Sequence, residues 1–319
     1  MSGRTPFPGS ALHRHPQCAP TEHAQFPLSG LTQQNHPPNR LQQRSSIYFR
    51  QICTIACNNW FGKLRQIQVE IPTDGGSATG EPDLPPPNLI YDMWIGPCPE
   101  MPYIECRVHP QCDYSRPGWL QIAQFCPGNI TGWGCRMYDI AQWGMGEDMI
   151  SVPIEVKATG EFPDRGHLNV HDGFKGEAIY ANGVRMISKN GNPRVRFNAE
   201  DGWACRNRDI MNCSDQELLR RKPSDKEISL HHSSNHMNDF LRAVRTGKDP
   251  ACPVEEGHRT NTSCVLHHLS MKLGERNIKW DPLVEKVAGD PEVESRILMP
   301  MRKPYTLRGN PDNASGIKI

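Results

Sequence analysis

The sequence lacks an excess of charge of either sign. Its 319 residues carry 36 lysines and arginines against 35 aspartates and glutamates, which gives a formal net charge of +1. Proteins that bind nucleic acid normally present a basic stripe or face, so this balance argues against a nucleic-acid partner. The sequence also lacks any run near the roughly 18 apolar residues of a membrane span, and its first residues lack the apolar core of a signal peptide. We therefore expect no membrane partner and a cytoplasmic location.

The common catalytic motifs are absent as well. The sequence contains no GxGxxG or GxxxxGK[ST] turn for nucleotide phosphates, no HExxH zinc motif and no GxSxG nucleophile elbow. Its 12 cysteines include no CxxC pair, which favours small buried side chains over a disulfide framework. One cluster has the ligand types of a zinc site but not the paired spacing, so we predict no metal there: Cys98, Cys106, His109 and Cys112.

Proline is abundant but unevenly placed, and its distribution divides the chain. The sequence holds 29 prolines, about twice the usual share. Residues 1–45 contain no valine, isoleucine, tryptophan or tyrosine, and such a segment cannot bury enough apolar surface to offset its ordering entropy. We predict a disordered leader over residues 1–40 and a flexible tail over 308–319. Residues 41–307 then form one domain, with a second proline cluster at 82–102 as an extended connection on its surface.

Alternating hydrophobicity predicts a β-strand at 64–71, where Ile67, Val69 and Ile71 share one face and Leu64 falls outside the pattern. The short intervals between the later strands favour an antiparallel meander, because parallel neighbours need a crossover of about a dozen residues. Asn182-Gly183 predicts a hairpin with a type I′ turn, in which both central residues have positive φ. The later strands are predicted at 153–159, 170–180, 184–188, 195–199 and 203–206.

Apolar residues at helical spacing predict four helices, at 46–59, 134–145, 233–246 and 255–273. The third ends before Gly247, which suits the left-handed position after a helix, and it places four apolar residues on one face: Met237, Phe240, Leu241 and Val244. The economical architecture for these elements is α+β, an open and mostly antiparallel sheet with helices packed on one face.

Several short strings of the sequence occur together in one order. They are LQQRS at 41–45, WIGPCPE at 94–100, DIAQW at 139–143, YANGV at 180–184, VEEGHR at 254–259 and KWDP at 279–282. With this combination the chain, over residues 41–307, resembles the Gfo/Idh/MocA oxidoreductases, in the bacterial subgroup common in planctomycete-like organisms.

The resemblance implies an N-terminal Rossmann domain that binds NAD or NADP and a C-terminal α+β domain that lines the substrate pocket and often forms the oligomer interface. Here the similarity begins where the Rossmann domain should end, and no glycine-rich turn is present. We therefore expect no complete Rossmann domain and no NAD or NADP bound by this chain alone. The expected function is that of a substrate-binding domain, inactive alone, whose partners are a small sugar or polyol such as a cyclitol and, through the sheet, a second copy of the chain.

The resemblance also indicates catalytic positions. Family members typically carry Asp-x-x-x-His ahead of the DIAQW string, and the histidine takes the hydroxyl proton as hydride leaves the carbinol carbon. In this sequence Gly132 stands at the aspartate position and Arg136 at the histidine position. Arginine cannot accept a proton near neutral pH, because its pKa lies above about 12. Arg136 could bind an anionic or polyhydroxylated ligand, or could be a helix residue paired with Asp139 three positions later.

The remaining candidates come from the neighbouring loop and helices. His109 is a possible replacement base, since histidine titrates near neutral pH. His236 could instead belong, with Asn235, to the cap of its helix. The residues predicted to contact substrate are Arg107, Tyr114, Arg116, Asp139 and His236. The alternative function is a non-catalytic binding or oligomerisation module that has lost its base at Arg136.

Overall fold

The computed structural model describes residues 41–74, 78–108, 118–146, 152–164 and 166–306. The predictions for residues 1–40 and 308–319 therefore lie outside the described residues. In the part of the chain that is described, no helix is long and apolar enough to cross a membrane. The helices are α1 (Ile47–Cys57), α2 (Tyr91–Ile95), α3 (Glu105–Val108), α4 (Asn129–Gly132), α5 (Gly134–Met145), α6 (His236–Thr246), α7 (Val254–Lys272) and α8 (Pro291–Arg296), with 3₁₀ turns at Gln42–Ser45, Gly118–Gln121 and Gln216–Leu219.

The described strands form one open sheet in the order β7-β6-β5-β1-β4-β3-β2-β8-β9. All neighbouring pairs are antiparallel except β1 and β4, which are parallel. The strands are β1 (Leu64–Ile71), β2 (Pro153–Gly160), β3 (Phe174–Tyr180), β4 (Arg185–Asn190), β5 (Arg194–Ala199), β6 (Trp203–Asn207), β7 (Met211–Cys213), β8 (Ile278–Asp281) and β9 (Lys286–Val287). The predicted α+β class with an open, mostly antiparallel sheet is confirmed.

Strand β1 shows how alternation gives the sheet one apolar and one polar face. Ile67, Val69 and Ile71 are fully buried on the inner face, while Gln66 and Gln68 are half-buried on the other. Leu64 is buried too, because the register against β5 shifts between Leu64 and Gln66, and such a bulge returns the extra side chain to the inner face. The outer face of the neighbouring strands is also polar: Lys157, Lys175, Glu177, Arg185, Arg194 and Arg196.

The predicted meander is correct for β2, β3 and β4 and wrong at the next step. Strand β1 lies between β4 and β5, parallel to the first and antiparallel to the second. Residues 191–193 connect β4 to β5 past the end of β1, where the Gly191 N–H donates to the Ile71 carbonyl oxygen at 2.8 Å. A short connection can therefore bridge two strands that a third separates, and hydrophobic alternation cannot distinguish this from a hairpin.

The hairpin between β3 and β4 is confirmed, but its turn is not type I′. Gly183 has a φ of +82°, whereas Asn182 keeps a negative φ. The Gly183 N–H donates to the Tyr180 carbonyl oxygen at 2.9 Å, and the Val184 N–H donates to the Asn182 side-chain oxygen at 3.0 Å. This is a type I turn followed by a left-handed glycine, in which only one residue needs positive φ.

Helix α5 lies on the inner face of the sheet, in contact with α1, α7, β1 and β5. The residues predicted to be buried in this helix are each at most 1% exposed: Met137, Ile140, Ala141 and Trp143. Every other residue of the helix except Arg136 is buried as well. Gly144 permits the close approach to β5, since an added Cβ would lie 2.4 Å from the Phe197 ring. This packing fixes the orientation of α5 and leaves Arg136 as its one partly exposed side chain.

Helix α6 begins at His236, later than predicted, because the Asn235 side chain accepts a hydrogen bond from the Asn238 N–H and caps the helix. It ends as predicted at Gly247, whose φ of +65° is left-handed. The predicted role as helix cap is therefore confirmed for Asn235 and not for His236.

The apolar face of α6 points to solvent, contrary to the usual arrangement in which an amphipathic helix buries its apolar stripe. The buried residue of the helix is Asp239, which binds His231, Arg242 and the Ala251 N–H. The exposed apolar residues, between 37% and 68% accessible, are Met237, Phe240, Leu241 and Val244. The apolar face of α6, which the hydrophobic period predicts to be buried, is therefore exposed to solvent.

Candidate functional site

The position that the resemblance gives to the catalytic base lies in the first turn of α5. Helix α4 ends at Gly132 and α5 begins at Gly134, with Trp133 between them. Arg136 Nη1 donates to the Gly132 carbonyl oxygen at 3.0 Å, and its guanidinium carbon lies 5.5 Å from the centre of the Trp133 ring. The structure therefore brings Gly132 and Arg136 together and sets Trp133 beside them.

Arg136 does not pair with Asp139, so that interpretation of the spacing is wrong. The Asp139 carboxylate accepts from Arg44, whose Nε lies 2.9 and 3.0 Å from its two oxygens and whose Nη2 lies 2.7 Å from one of them. The two side chains are 1% and 0% exposed. The Arg44 guanidinium carbon also lies 5.2 Å from the Trp143 ring centre. The carboxylate of Asp139 is thus committed to the interior, and its contact with substrate stays a prediction.

A charged network surrounds this buried pair. Glu256 Oε2 lies 3.4 Å from Arg44 Nη2, and Arg259 Nη1 lies 3.5 Å from Glu256 Oε1. Burial lowers the pKa of Arg44, but Asp139 together with Cys252 and Glu256 raises it by more, so Arg44 stays protonated. Burial raises the pKa of Asp139, and Arg44 opposes that rise. Burial likewise raises the pKa of the Cys252 thiol beside the pair, so that sulfur is not a thiolate near neutral pH.

His236 lies beside the 3₁₀ turn that carries Arg44. Its Nδ1 is 3.1 Å from Ser45 Oγ, and Ser45 Oγ is 2.9 Å from Ser233 Oγ. These contacts attach the start of α6 to residues 42–45, at the end of the described chain where any preceding segment connects.

Arg107, on α3, belongs to a different network. Its Nη2 lies 3.3 Å from His167 Nδ1, and His167 Nε2 lies 2.7 Å from the Gly80 carbonyl oxygen. A carbonyl can only accept, so His167 carries its proton on Nε2 and accepts from Arg107 at Nδ1. Within the described contacts, no hydrogen bond joins Arg107 to Arg136.

His109, Tyr114 and Arg116 lie outside the described residues, as does Cys112 of the cysteine cluster. Their predicted roles stay predictions. Cys98 Sγ donates to the Gln124 carbonyl oxygen at 3.1 Å. Among the residues that the structure describes, no group of three or more His, Cys, Asp or Glu side chains is placed to hold a metal ion.

Two arginines beside the site were missed by the sequence analysis. Arg208, between β6 and β7, has its guanidinium carbon 4.3 Å from the Trp133 ring centre. Arg206 lies on β6 with its guanidinium carbon 4.8 Å from the Tyr48 ring, and its Nη2 donates to the Arg208 carbonyl oxygen at 2.6 Å. The sequence could have indicated Arg206, because alternation along β6 places this residue on the same inner face as Ala204.

A cavity of about 510 Å³ lies at the other end of α5, between that helix, the end of α1 and the β3–β4 turn. At a rise of about 1.5 Å per residue, the last residue of α5 lies about 13 Å along the axis from Arg136. The cavity is therefore separate from the base position. Its lining includes Lys63, Leu64, Gly144, Met145 and Asn182.

The described residues do not fit a dinucleotide. Such a site uses a glycine-rich turn that joins a strand to a helix within a βαβ unit. In the described sheet the one parallel pair, β1 and β4, is connected through residues 72–184, which include β2 and β3 and form no βαβ unit. No GxGxxG occurs in the sequence.

Three solved structures illustrate what the chain is similar to. The WlbA dehydrogenase from Bordetella pertussis, in complex with NADH and UDP-GlcNAcA, is 12% identical with a TM-score of 0.48, over 75% of this chain and 61% of that one. A myo-inositol dehydrogenase from Corynebacterium glutamicum is 14% identical with a TM-score of 0.44, over 76% and 64%. The aldose-aldose oxidoreductase from Caulobacter crescentus, complexed with glycerol, is 13% identical with a TM-score of 0.45, over 74% and 62%.

The chain thus spans between 60% and 64% of the length of the solved structures that it resembles. No curated protein matches it. A family model described as "Oxidoreductase family, C-terminal alpha/beta domain" matches residues 75–307, well over half of the chain. The matched range includes α5, with Gly132 and Arg136 at its start, and all strands after β1. The chain belongs to the Gfo/Idh/MocA oxidoreductase family, and it contains that family's C-terminal α/β domain.

Proposed function

We propose that this chain supplies the substrate-binding domain of an NAD- or NADP-dependent oxidoreductase that acts on a sugar or cyclitol, and that it does not turn over substrate unaided. One observation carries the proposal. The residues that match the family's C-terminal domain pack around α5, and every residue of this helix is buried except Arg136, the residue that the resemblance assigns to the base position. In the whole enzyme the nicotinamide would accept the hydride, while this chain binds and orients the alcohol.

Arg136 also supports the second candidate, a binding or oligomerisation module without catalytic activity. The guanidinium donates hydrogen bonds in a fixed planar fork, so it can hold hydroxyl or anionic groups of a ligand. It has no basic nitrogen near neutral pH, and so it cannot take the hydroxyl proton that must leave as the alcohol is oxidised. The two candidates therefore differ in whether the chain still has a base, which an experiment can decide.

Supplying a relative's nucleotide-binding domain, fused ahead of Gln42 or added in trans, is expected to give weak NAD(P)H-linked turnover of a polyol or ketose. Arg136→His is expected to raise that rate by about 10²- to 10⁴-fold, the usual contribution of a positioned general base. The measurement is NAD(P)H absorbance with a panel of sugars and cyclitols. The pH profile of the Arg136→His enzyme should show the rate rising through the pKa of the new imidazole.

Arg296→His is the matched control, because Arg296 is exposed at the end of α8, a helix that packs mainly on β9 and not on α5 or α6. It should leave the rate unchanged. Turnover that requires Arg136→His favours the non-catalytic module, whereas turnover by the native sequence favours the enzyme domain. Turnover by the purified 319-residue chain alone contradicts the proposal that it needs a separate cofactor domain, and a folded, complemented Arg136→His protein without turnover contradicts the oxidoreductase function.

We propose further that the cofactor domain docks on the apolar face of α6. The described chain begins at Leu41, and Ser45 contacts His236 at the start of this helix, so a domain that precedes residue 41 is connected beside it. Two more apolar residues of this region are half exposed, Ile47 at 56% and Tyr48 at 50%. Several exposed apolar side chains in one region of a surface are typical of a protein–protein contact. We call the residues Ile47, Tyr48, Met237, Phe240 and Leu241 the α6 surface.

The double variant Phe240→Glu/Leu241→Lys is expected to weaken trans complementation by at least about tenfold, since central apolar residues contribute most of the energy of an interface. Its melting temperature should not fall, because both side chains are already largely exposed, at 40% and 41%. The control is Leu283→Lys, a substitution of an apolar residue that is 74% exposed in the β8–β9 turn. Equal complementation by the double variant and by the control would place the docking surface elsewhere.

The polar outer face of the sheet is the surface through which we propose that two copies associate. Its charges are already partly paired within one chain, as in the contact of Arg194 with Glu70 at 2.7 Å. Light scattering of the α6 double variant separates the two surfaces, because a dimer that persists cannot depend on α6. The cytoplasmic location stays a proposal.

A further inference from the structure

Arg206 is a charged side chain on the inner face of the sheet, which is mostly apolar. Along β6 the inner face carries Ala204 and Arg206, and Arg206 is 6% exposed. Its guanidinium carbon lies 4.8 Å from the Tyr48 ring and 5.7 Å from the Phe49 ring. Among the described ion pairs, none involves Arg206, and desolvation lowers its pKa. A buried cation without a carboxylate partner is costly, and an anion bound from outside would offset that cost.

Two further arginines extend the positive charge towards α5. Arg208 is exposed and stacks at 4.3 Å on Trp133, and Arg136 approaches the same ring at 5.5 Å. Arg206 Nη2 donates to the Arg208 carbonyl oxygen at 2.6 Å, which links Arg206 to the backbone of the strand connection that carries Arg208. The nearest acidic residue in the strand connection, Asp209, is exposed and acts on Arg206 at a distance through its charge. We call Arg136, Arg206 and Arg208 the arginine cluster.

The helix beside the cluster adds to the same field. The first turn of α5 contains no acidic residue, and no side chain caps its N-terminus. The N-terminus of a helix carries about half a positive charge, which normally favours Asp or Glu there and disfavours a cation such as Arg136. The helix terminus and the guanidinium groups of Arg136 and Arg208 thus lie around Trp133, and Arg206 is linked to them through the backbone of Arg208.

We propose that the arginine cluster is an oxyanion subsite that binds a phosphate or carboxylate group carried by the sugar substrate. The exposed planar fork of Arg208 can donate two parallel hydrogen bonds to such a group, and Arg136 and Arg206 add positive charge near it. The subsite adjoins the base position in the first turn of α5, so it orients the sugar with its anionic group on the β6–β7 side. The assignment to substrate rests on the proposed function, whereas the oxyanion binding itself does not.

The test is a titration of the 319-residue chain at low ionic strength with inorganic phosphate, glucose 6-phosphate, glucuronate and glucose. Calorimetry gives affinities, and tryptophan fluorescence, compared with a Trp133→Phe variant, reports on the site. At least one of the two anionic sugars is expected to bind about tenfold or more tightly than glucose, and added salt should weaken that binding. Which of them binds better distinguishes phosphate from carboxylate. Equal affinity for glucose and both anions would overturn the proposal.

Arg208→Gln is expected to weaken the anionic sugar by roughly tenfold, the loss of a charge-assisted contact. Arg206→Lys keeps the buried charge and guards against unfolding, and it should weaken binding less. Arg245→Gln, which removes an exposed arginine from α6, is the control and should bind like the native chain. Native affinity in both cluster variants would overturn the subsite. If the complemented enzyme does not turn over substrate, the subsite proposal still stands, since binding is measured without a cofactor domain. If the complemented enzyme turns over only neutral sugars, the subsite proposal is overturned and the proposed oxidoreductase function is not.

Discussion

Asp139→Asn is expected to lower the free energy of unfolding by about 3 kcal/mol or more, the range found when one partner of a buried ion pair is removed. The variant keeps the size of the side chain but removes the charge that neutralises Arg44. Arg44 is 1% exposed, and its remaining carboxylate contact, Glu256, is longer, at 3.4 Å. A guanidinium does not lose its proton near neutral pH, so Arg44 cannot avoid the cost by becoming neutral.

The position of the pair explains why the effect should be large. Arg44 comes from the turn at 42–45, Asp139 from the middle of α5 and Glu256 from the first turn of α7, so three segments meet at one buried charge. Arg44 also covers the Trp143 ring. Loss of the carboxylate would loosen the contact of α5 with the segment that leads into α1, and with it the position of Arg136 one turn away.

Urea unfolding followed by circular dichroism measures the change. Glu217→Gln is the matched control, because Glu217 forms an exposed pair with Arg220 at 3.0 Å, and such pairs contribute about 0–1 kcal/mol. The double variant Arg44→Met/Asp139→Leu should be less destabilised than Asp139→Asn, since it removes both charges together. A loss below about 1 kcal/mol for Asp139→Asn would show that the pair is not desolvated as its burial indicates.

The elements with a clear hydrophobic period could be predicted from sequence, and their long-range arrangement could not. The bounds of β1 and α5 agree with the prediction because alternation in the one and a three-to-four residue period in the other are local properties. The insertion of β1 between β4 and β5 depends on pairing between residues more than 110 positions apart, as in Ile67 with Met186. The Arg44–Asp139 pair spans 95 positions, and no spacing rule reaches so far.

The candidate site was predictable only where a motif or a period carried a signal. The resemblance located Gly132 and Arg136, and the structure brings them into contact. Arg206 could have been noticed as a cation on the inner side of an alternating strand, but Arg208 lies in a turn and meets Trp133 only through the fold. The exposed stripe of α6 was found correctly by its period, although a period does not tell which surface covers it.

Acidification from pH 7 to pH 5 is expected to destabilise the protein strongly through three buried histidines. His267 and His268 lie on α7, and His171 lies in the segment before β3, with its ring 6.5 Å from that of His268. Burial lowers their pKa from the ordinary 6.5 to about 4 for His171 and His267 and about 3 for His268. Their surroundings are largely aromatic: Phe162 and Phe174 near His171, and Tyr138 at 5.1 Å from His267.

The sign follows from the lowered pKa values. Below pH 6.5 the unfolded chain binds protons at these histidines while the folded protein does not, so stability falls with pH until the folded pKa is reached. At pH 5 each histidine contributes a loss of about 2 kcal/mol, and three together approach the 5–15 kcal/mol stability of an ordinary domain. Carboxylates in the structure with lowered pKa, such as Asp239, lose their contribution only at lower pH.

His258 acts in the opposite direction. Its hydrogen bond to Glu285, at 2.7 Å, raises its pKa, so its stabilising contribution is fully present below pH 6.5 and is lost as the pH rises through the folded value. The net change between pH 7 and pH 5 is therefore three losses against one gain, and the loss should dominate. Lys272, 4.5 Å from the Phe162 ring, further lowers the pKa of His268 by its charge.

Urea unfolding at half-unit steps from pH 7 to pH 5 measures this dependence. The variant His171→Phe/His268→Phe should lose most of the slope in that window, whatever it does to stability at pH 7, because two of the three groups no longer titrate. His232→Gln, at an exposed position, should keep the native slope. A flat profile for the native chain, or a native slope in the double variant, would contradict this prediction. It would mean that these rings accept protons in the folded state, which requires water or an anion to reach them. Within the described structure, Nδ1 of His171 and of His268 has no hydrogen-bond partner.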